Sequence, residues 1–361
     1  MSPPTLLRLR LHDFRCFARL DWRPPGGRLV LVGANGTGKT TLLEAVYLAA
    51  TTRSFRAPRP AACVRRGTAG FSVVAEVGER PRCELAVAWS SAGRTRTLDG
   101  KETPLVEHLA ALPVLAWSRG EAELVAGGPA ARRSFLDRGL VHVRPAVLED
   151  LARYRRALAE KRALLARRDE RGLEAWNALL ARHGAALGAA RARLAEEVGH
   201  ELAELARRHA PELSPLALRY RPAAPATLAG EAELARALEA ARGEELARRS
   251  PLVGPHRDEV ELEWAGVPVR GAVSAGEAKA LGLLLVAALA RRLARAEREP
   301  TLLLDDADAE LDAARVARIA EAFAGFERVL VTSSRGEVWR GVPGFEEVPL
   351  GGAAGGLRRD S

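Results

Sequence analysis

A chain of 361 residues that is 47% apolar and 28% charged has material for one large or two modest domains with a real core, which excludes a disordered or low-complexity protein. The longest apolar run, Ala280 to Ala290, is too short to span a bilayer, and the N-terminus shows no leader-like pattern, so the expectation is a soluble cytoplasmic protein with no membrane partner. A net charge of +9 favours an anionic partner such as nucleic acid over a neutral small substrate, although an Ala- and Arg-rich chain with only four lysines is equally what high genomic G+C content produces.

In chain order, Leu6 to Leu11 reads as a strand, and so does the apolar run Leu29 to Val32. GANGTGKT follows directly: Gly33, Ala34, Asn35, Gly36, Thr37, Gly38, Lys39 and Thr40, then Thr41 and a helix over Leu42 to Ala50. Strand, glycine-rich turn and helix form the setting of a P-loop, because such a turn aims backbone N–H groups and a helix N-terminus at one point that holds a polyphosphate. Lys39 is placed to reach the β- and γ-phosphates and the Thr40 hydroxyl to ligate Mg²⁺; the bland alternative is a chance glycine turn. Further strands are expected at Phe71 to Val77, Glu84 to Trp89 and Pro113 to Trp117, with Asp99-Gly100 as a two-residue hairpin turn. Cys16, Cys63 and Cys83 are odd in number and without a CxxC pair, which suggests buried thiols and not a disulfide or zinc framework.

Between Pro145 and Arg208 the period turns helical, with Leu148, Leu151, Tyr154 and Leu158, then Leu187, Leu194, Val198, Leu202 and Leu205. A further helix fits Glu231 to Arg249, alternation returns at Val260 to Trp264, and the last hundred residues read as α/β again before a tail, Gly351 to Ser361, expected to be disordered. The expected domains are 1–130 and 251–350, two parts of one α/β nucleotide-binding head, interrupted by a helical lobe over 131–250.

TLLLDD, Thr301 to Asp306, is a short buried strand ending in two carboxylates, the form of a Walker B segment. Adjacent strand residues face opposite sides, so Asp305 is assigned to hold Mg²⁺ through water and Asp306 to polarise the water that attacks the γ-phosphate; a helix cap or solvated loop is the alternative. Upstream, Ser274, Gly276 and Glu277 open a long helix and make a second phosphate-seeking N-terminus. The economical reading is that this segment completes the site of a symmetry-related subunit, giving two ATP molecules in a homodimer; an ordinary N-cap fits the residues as well. The strand Arg328 to Val331 ends in Thr332-Ser333-Ser334, and Thr332 stands where a switch residue would contact the γ-phosphate.

Five segments together resemble the RecF family of ABC/SMC-like ATPases: DFRCF from Asp13, GKTTLLEAVYLAATTRSFR from Gly38 to Arg56, GGPAARRSFLD from Gly127 to Asp137, VGPHRDEVEL from Val253 to Leu262, and LLLDDADAELD from Leu302 to Asp312. The resemblance implies an α/β P-loop NTPase of the ABC/SMC head type with a helical insertion lobe. It implies a slow, switch-like ATPase that binds ATP with Mg²⁺, dimerises on ATP, and recognises gapped or single-strand/double-strand junction DNA, with RecR and RecO assisting RecA loading. By residue it makes Lys39 and Thr40 Walker A ligands, Asp305 and Asp306 Walker B acids, Ser274 and Gly276 the signature motif acting in trans, and Asp312 the D-loop residue.

The chain departs from the pattern in several places. It has no glutamine anywhere, so a Q-loop glutamine is missing and Glu121 or Glu123 are the stand-ins; Arg119-Gly120-Glu121 occupies a usual Pro-Glu-Asp cluster; Thr37 and Thr41 replace polar amides; Glu277 replaces a Gln; and no His sits at the switch. A transporter-type ABC ATPase subunit, the alternative, needs the Q-loop and switch His that are absent, and a small-molecule kinase would leave the Ser274 segment unexplained. Arg132-Arg133, Arg155-Arg156 and Arg65-Arg66 are candidate DNA phosphate contacts, each pair weighed against a solvated face or a salt bridge, while Arg53 and Arg56 lie just past the P-loop helix, placed to sense either phosphate or DNA. GPHRD is read either as functional or as a lock of the lobe onto the head through His256 and Arg257; His256 has no second ligand nearby for a metal.

Overall fold

The computed structural model describes residues 4–78, 82–118 and 123–350. The tail Gly351 to Ser361 and the segment Arg119-Gly120-Glu121 lie outside the described residues. The chain forms two units, one of Met1–Val125, Leu205–Leu213 and Val273–Ser361, the other of Ala126–Glu204 and Ser214–Ala272. The second unit thus reaches past the boundary expected at 250, because Glu259–Trp264 pairs with Leu216–Arg221 inside it.

The first unit holds a five-stranded parallel sheet in the order Phe345–Pro349, Arg28–Val32, Val329–Ser333, Thr301–Leu304, Val114–Trp117. Thr301–Leu304 and Val329–Ser333 are buried along their whole length, which is why they read as unbroken apolar runs and not as alternating strands. A six-stranded antiparallel sheet runs Phe17–Trp22, Leu6–Phe14, Gly70–Val77, Cys83–Ser90, Gly93–Leu98, Lys101–Glu102. Gly70–Val77 alternates strictly between half-buried and buried residues, as a strand with one face on the core must.

The helix Lys39–Thr51 packs against strands of both sheets, and all its residues except Thr40 and Thr51 are buried. One core joins Leu42, Leu43 and Val46 of this helix to Leu9, Leu11, Val73 and Leu85 of the antiparallel sheet and to Leu29, Leu31, Leu303 and Leu330 of the parallel one. Burial on nearly every side, with Lys39, Thr41 and Glu44 the polar exceptions, holds the P-loop at the carboxyl edge of the sheet.

Asp99 and Gly100 both have positive φ, 50° and 76°, the mirror-image turn that Asp-Gly signals. The strand Phe17–Trp22 was not expected: its hairpin turn is Arg15-Cys16, with Arg15 at φ 54°, and neither residue announces a turn. Gly93–Leu98, Leu216–Arg221 and Phe345–Pro349 were also unforeseen, being short and largely exposed or half-buried with no apolar run.

The second unit contains the helices Pro129–Val143, Val147–Arg167, Ala226–Ala229, Glu231–Ala240 and Arg242–Arg248 and most of the 37-residue helix Leu173–His209. The expected helix over Glu231 to Arg249 is thus broken at Ala241, near Gly243. The unit is not purely helical, since Val267–Pro268, Glu259–Trp264 and Leu216–Arg221 form a three-stranded sheet in it.

Candidate active site

Ligand sites in open parallel sheets form at the carboxyl ends of the strands, and the expected nucleotide residues converge there. The loop after Arg28–Val32 turns through Gly36 and Gly38 at φ 82° and 102°. A side chain at Gly38 is excluded twice over, by that backbone and because a Cβ would lie 2.6 Å from Phe17 Cζ. Gly38 is also the N-cap of the helix Lys39–Thr51 and provides no side-chain cap, leaving an anion-facing helix end. Asn35 is exposed, Thr37 donates to the Ala34 carbonyl at 3.0 Å, and the buried Thr41 lies 3.8 Å from Cys16 Sγ.

Lys39 Nζ donates to two carbonyls of its own loop, Gly33 at 2.6 Å and Ala34 at 2.9 Å. Burial lowers its pKa, opposed first by the negative charge of Asp306 and then by Asp305 and Asp308. Thr40 Oγ1 donates to Asp305 Oδ1 at 2.7 Å, and Thr332 Oγ1 donates to the same oxygen at 2.8 Å. The Thr332 hydroxyl in turn accepts from the Asp306 N–H at 2.9 Å. Three expected residues from three separate elements thus meet on one carboxylate oxygen. Burial pushes the Asp305 carboxyl above the usual range, against the two hydroxyl bonds that favour its ionised form. Asp306 is half-buried and sits at φ 50°, a left-handed conformation, so the two acids do separate in environment.

Ser274 caps the helix Ala275–Ala294 in a reciprocal capping box: its N–H and hydroxyl donate to Glu277 Oε2, both at 2.8 Å, and its oxygen accepts from the Glu277 N–H at 3.3 Å. Those bonds hold the Glu277 carboxyl below its ordinary value. Ser274 is exposed at this helix end and Gly276 is half-buried. Asp312 caps the helix Ala313–Glu321, accepting from the Arg315 N–H at 2.7 Å, which lowers its pKa.

Sequence reasoning missed three residues here. Lys279 Nζ donates to the carbonyls of Asp306 and Ala309, both at 2.8 Å. Asp308, 2% exposed, accepts from Ser333 Oγ at 2.7 Å. Arg335 Nη1 donates to the carbonyls of Asp308 and Leu311 at 3.1 and 3.0 Å. The only hint in the sequence was position, since Asp308 lies inside the segment Leu302 to Asp312 and the other two flank named motifs. Two family segments acquire a physical role as well: the fully buried Glu44 of the P-loop helix pairs with Arg15 of DFRCF at 2.5 Å and with Arg56 of TRSFR at 3.3 Å, and accepts from Ser54 Oγ at 2.5 Å. Arg53 is exposed.

The DNA candidates separate sharply. Arg132, 7% exposed, donates to Glu259 from Nε and Nη2 and to the Gly127 carbonyl, and Arg133 donates to the Asp258 carbonyl at 2.6 Å. This corrects the assignment of Arg132 as a surface phosphate contact; Arg133 is half-buried, with one nitrogen on a carbonyl of the same unit. Arg155 and Arg156 are exposed, although Arg155 also reaches Asp137 at 3.2 Å. Arg65 pairs with Asp13 at 2.9 Å and Arg66 is exposed.

GPHRD is part of a polar knot within the second unit. His256 Nδ1 lies 2.7 Å from the Tyr154 hydroxyl, and burial pushes the imidazole down to about 4. Arg191 holds Asp137 at 2.8 and 3.0 Å and the Pro255 carbonyl at 2.8 Å, while Asp258 accepts from Tyr220 and from the Ala223 N–H. These partners all belong to the same unit as GPHRD. Glu121 lies outside the described residues, and Glu123 is exposed at the first position of the short helix Glu123–Ala126.

Residues 5–345 match the family model of the RecF/RecN/SMC N terminal domain. The fold is accordingly that of a RecF/SMC-type ATPase head, a mixed α/β architecture around a parallel sheet. Among solved structures the chain superposes on the recombination mediator protein RecF-ATP of the RecFOR pathway with TM-score 0.83 at 23% identity, covering 97% of this chain and 98% of that one. An Smc head domain from Pyrococcus furiosus gives TM-score 0.54 at 17% identity over 96% and 94%. The DNA replication and repair protein RecF of Frankia alni is 37% identical over 351 residues, 91% of this chain and 93% of the relative, and that of Acidothermus cellulolyticus is 36% identical over 348 residues with the same coverage. The chain belongs to the RecF family.

Proposed function

We propose that the chain is a DNA-binding ATPase of recombinational DNA repair, in which ATP-dependent dimerisation acts as a switch on DNA and slow hydrolysis resets it. The observation that carries this reading is the convergence of Thr40, Asp305 and Thr332 on one oxygen beside Lys39, at the mouth of a glycine loop that ends in an uncapped helix. Family membership supports the repair role, since the curated relatives are named DNA replication and repair proteins.

The residues fit ATP and a divalent cation. Lys39 rests on carbonyls of its own loop, bonds it can exchange for phosphate oxygens, and the Gly33 to Thr41 backbone cradles the polyphosphate. Thr40 and Asp305 would hold Mg²⁺, which when bound neutralises charge on the β- and γ-phosphates. Asp306 orients and polarises the attacking water, and the fully buried Thr332 acts from the neighbouring strand through its bonds to the Asp305 carboxylate and the Asp306 N–H. Ser274, Gly276 and Glu277 at the exposed helix end serve the nucleotide of a second copy, with Asp312, six residues after Asp306, as the D-loop contact. DNA contact falls to exposed guanidinium groups such as Arg155 and Arg156. The DNA recognised is gapped or junction DNA, with RecR and RecO as partners in RecA loading, a reading that rests on the family resemblance.

The test is the ATPase rate against protein concentration, with and without gapped duplex DNA at fixed salt. The proposal expects a rate rising with the square of concentration at the low end and boosted by DNA. Ser274→Arg should bind ATP normally but stay monomeric and inactive. A Ser274→Arg chain that hydrolysed ATP at the parent rate would end the composite-site reading, and a DNA-indifferent parent would remove the support for coupling to DNA.

A further inference from the structure

The segment Asp306 to Leu311 carries more external restraint than a loop needs. Asp306 and Glu310 both hold left-handed backbone, φ 50° and 68°, which non-glycine residues rarely adopt unless their surroundings impose it. Four carbonyls of the segment are taken by two cations from two different elements: Asp306 and Ala309 by Lys279, Asp308 and Leu311 by Arg335. An ammonium has three donors and no acceptor, so Lys279 can bridge two carbonyls that no neutral side chain of similar reach would hold equally well. Lys279 belongs to the helix that Ser274 caps, and Arg335 follows the strand that bears Thr332. The first turn of the Ser274 helix also abuts the segment directly, since a Cβ on Gly276 would lie 3.0 Å from the Glu310 carbonyl oxygen.

From this geometry we infer that Lys279 is a positioning residue that couples the Ser274 helix to Asp306, so that engagement of the helix end by a second copy of the chain sets the orientation of the acid that acts on water. The inference rests on the nucleotide reading given above and deepens it. Lys279 touches neither nucleotide nor water in this scheme. It holds the Asp306 carbonyl while Thr332 holds the Asp306 N–H, so the peptide groups on both sides of the Asp306 Cα are anchored, and a shift of the helix along its axis turns the carbonyl-side peptide and the carboxylate with it. Packed cores transmit such shifts because they deform little.

The experiment compares the full-length parent with Lys279→Met, which keeps the apolar stem and loses both bonds, and Lys279→Arg, which restores donors. At protein concentrations that saturate the dimer, Lys279→Met should lower kcat on the order of ten- to a hundredfold, the cost of a misplaced catalytic group. KM for ATP should stay within about twofold, a split that marks loss of an interaction made only in the transition state. Lys279→Arg should recover most of kcat. A Lys279→Met chain with the parent kcat overturns the inference, and so does a loss of kcat and KM together, with a lowered melting temperature and no recovery in Lys279→Arg, which would mean plain structural support. Should Lys279→Met fail to fold, Lys279→Gln, which removes the charge and leaves two neutral N–H donors on a shorter stem, is read by the same criteria. A parent that neither binds nor hydrolyses ATP defeats the nucleotide reading itself, whereas an active parent with an equally active Lys279→Met defeats only the coupling.

Discussion

Two polar networks in this chain look alike in composition and differ in how their charges are satisfied. In the second unit Arg191, Asp137, Tyr220, Asp258, Tyr154 and His256 form a closed knot, where buried groups meet fixed side chains or carbonyls of the same unit. At the carboxyl edge of the parallel sheet Lys39 leans on its own loop carbonyls, Asp305 gathers two hydroxyls at an oxygen, and Asp306 stays half-buried with its charge felt by Lys39. Burying ions without partners is costly, so a knot that pairs them all is a device for stability and uniqueness. A site that pairs a cation only with replaceable backbone bonds is poised to exchange them for a ligand. The same residue types therefore mean opposite things, and Arg132 belongs to the first kind despite a sequence that suggested the second.

The sharpest separation comes from Asp306→Asn. It should lower kcat roughly 10²- to 10⁴-fold, the range for losing a general acid–base group, while nucleotide affinity and melting temperature stay close to the parent and ATP-bound dimer accumulates. Turnover assays with size-exclusion in ATP check both halves, and an active Asp306→Asn chain would place the base elsewhere.

Arg191→Leu should do the reverse. Removing Arg191 leaves the buried Asp137 with only the exposed Arg155 as a partner, a loss of up to about 3–5 kcal/mol, so denaturant unfolding of the second unit should come earlier, with ATP affinity unchanged. If Arg191→Leu instead left unfolding alone and abolished DNA binding, the contrast between a structural knot and a functional edge would be broken.

The smallest effect is a pH slope. The imidazole of an unfolded chain titrates near ~6.5, whereas burial holds His256 at about 4, so between those values the unfolded state binds more protons than the folded one. Stability from this group is full above ~6.5 and is lost as pH falls through that window towards about 4, by on the order of 1–3 kcal/mol. Melting curves across pH should show that loss, and His256→Asn should flatten it.

Much of the site was legible because its motifs are local. A glycine loop between an apolar strand and a helix, or two acids closing a buried strand, obeys steric and hydrogen-bonding rules that act over a few residues, and both were placed where the structure has them. The strands at Phe17–Trp22 and Phe345–Pro349 were illegible for the complementary reason: short and half-exposed, they are strands only because a neighbour offers its edge. Lys279 and Arg335 gave no signal beyond their position, since a basic residue bonding to carbonyls leaves no pattern in the sequence around it.

By itself, then, the sequence determined the class of fold, the phosphate loop, the pair of acids and the likeness to the RecF family, all carried by contiguous residues. Only the tertiary structure decided which charges are engaged and which remain available. Arg132 is committed to Glu259, 127 residues away, and Thr40 meets Asp305 across 265. Pairings over such distances depend on how whole sheets and helices pack, and no short-range rule of backbone geometry or periodicity encodes them.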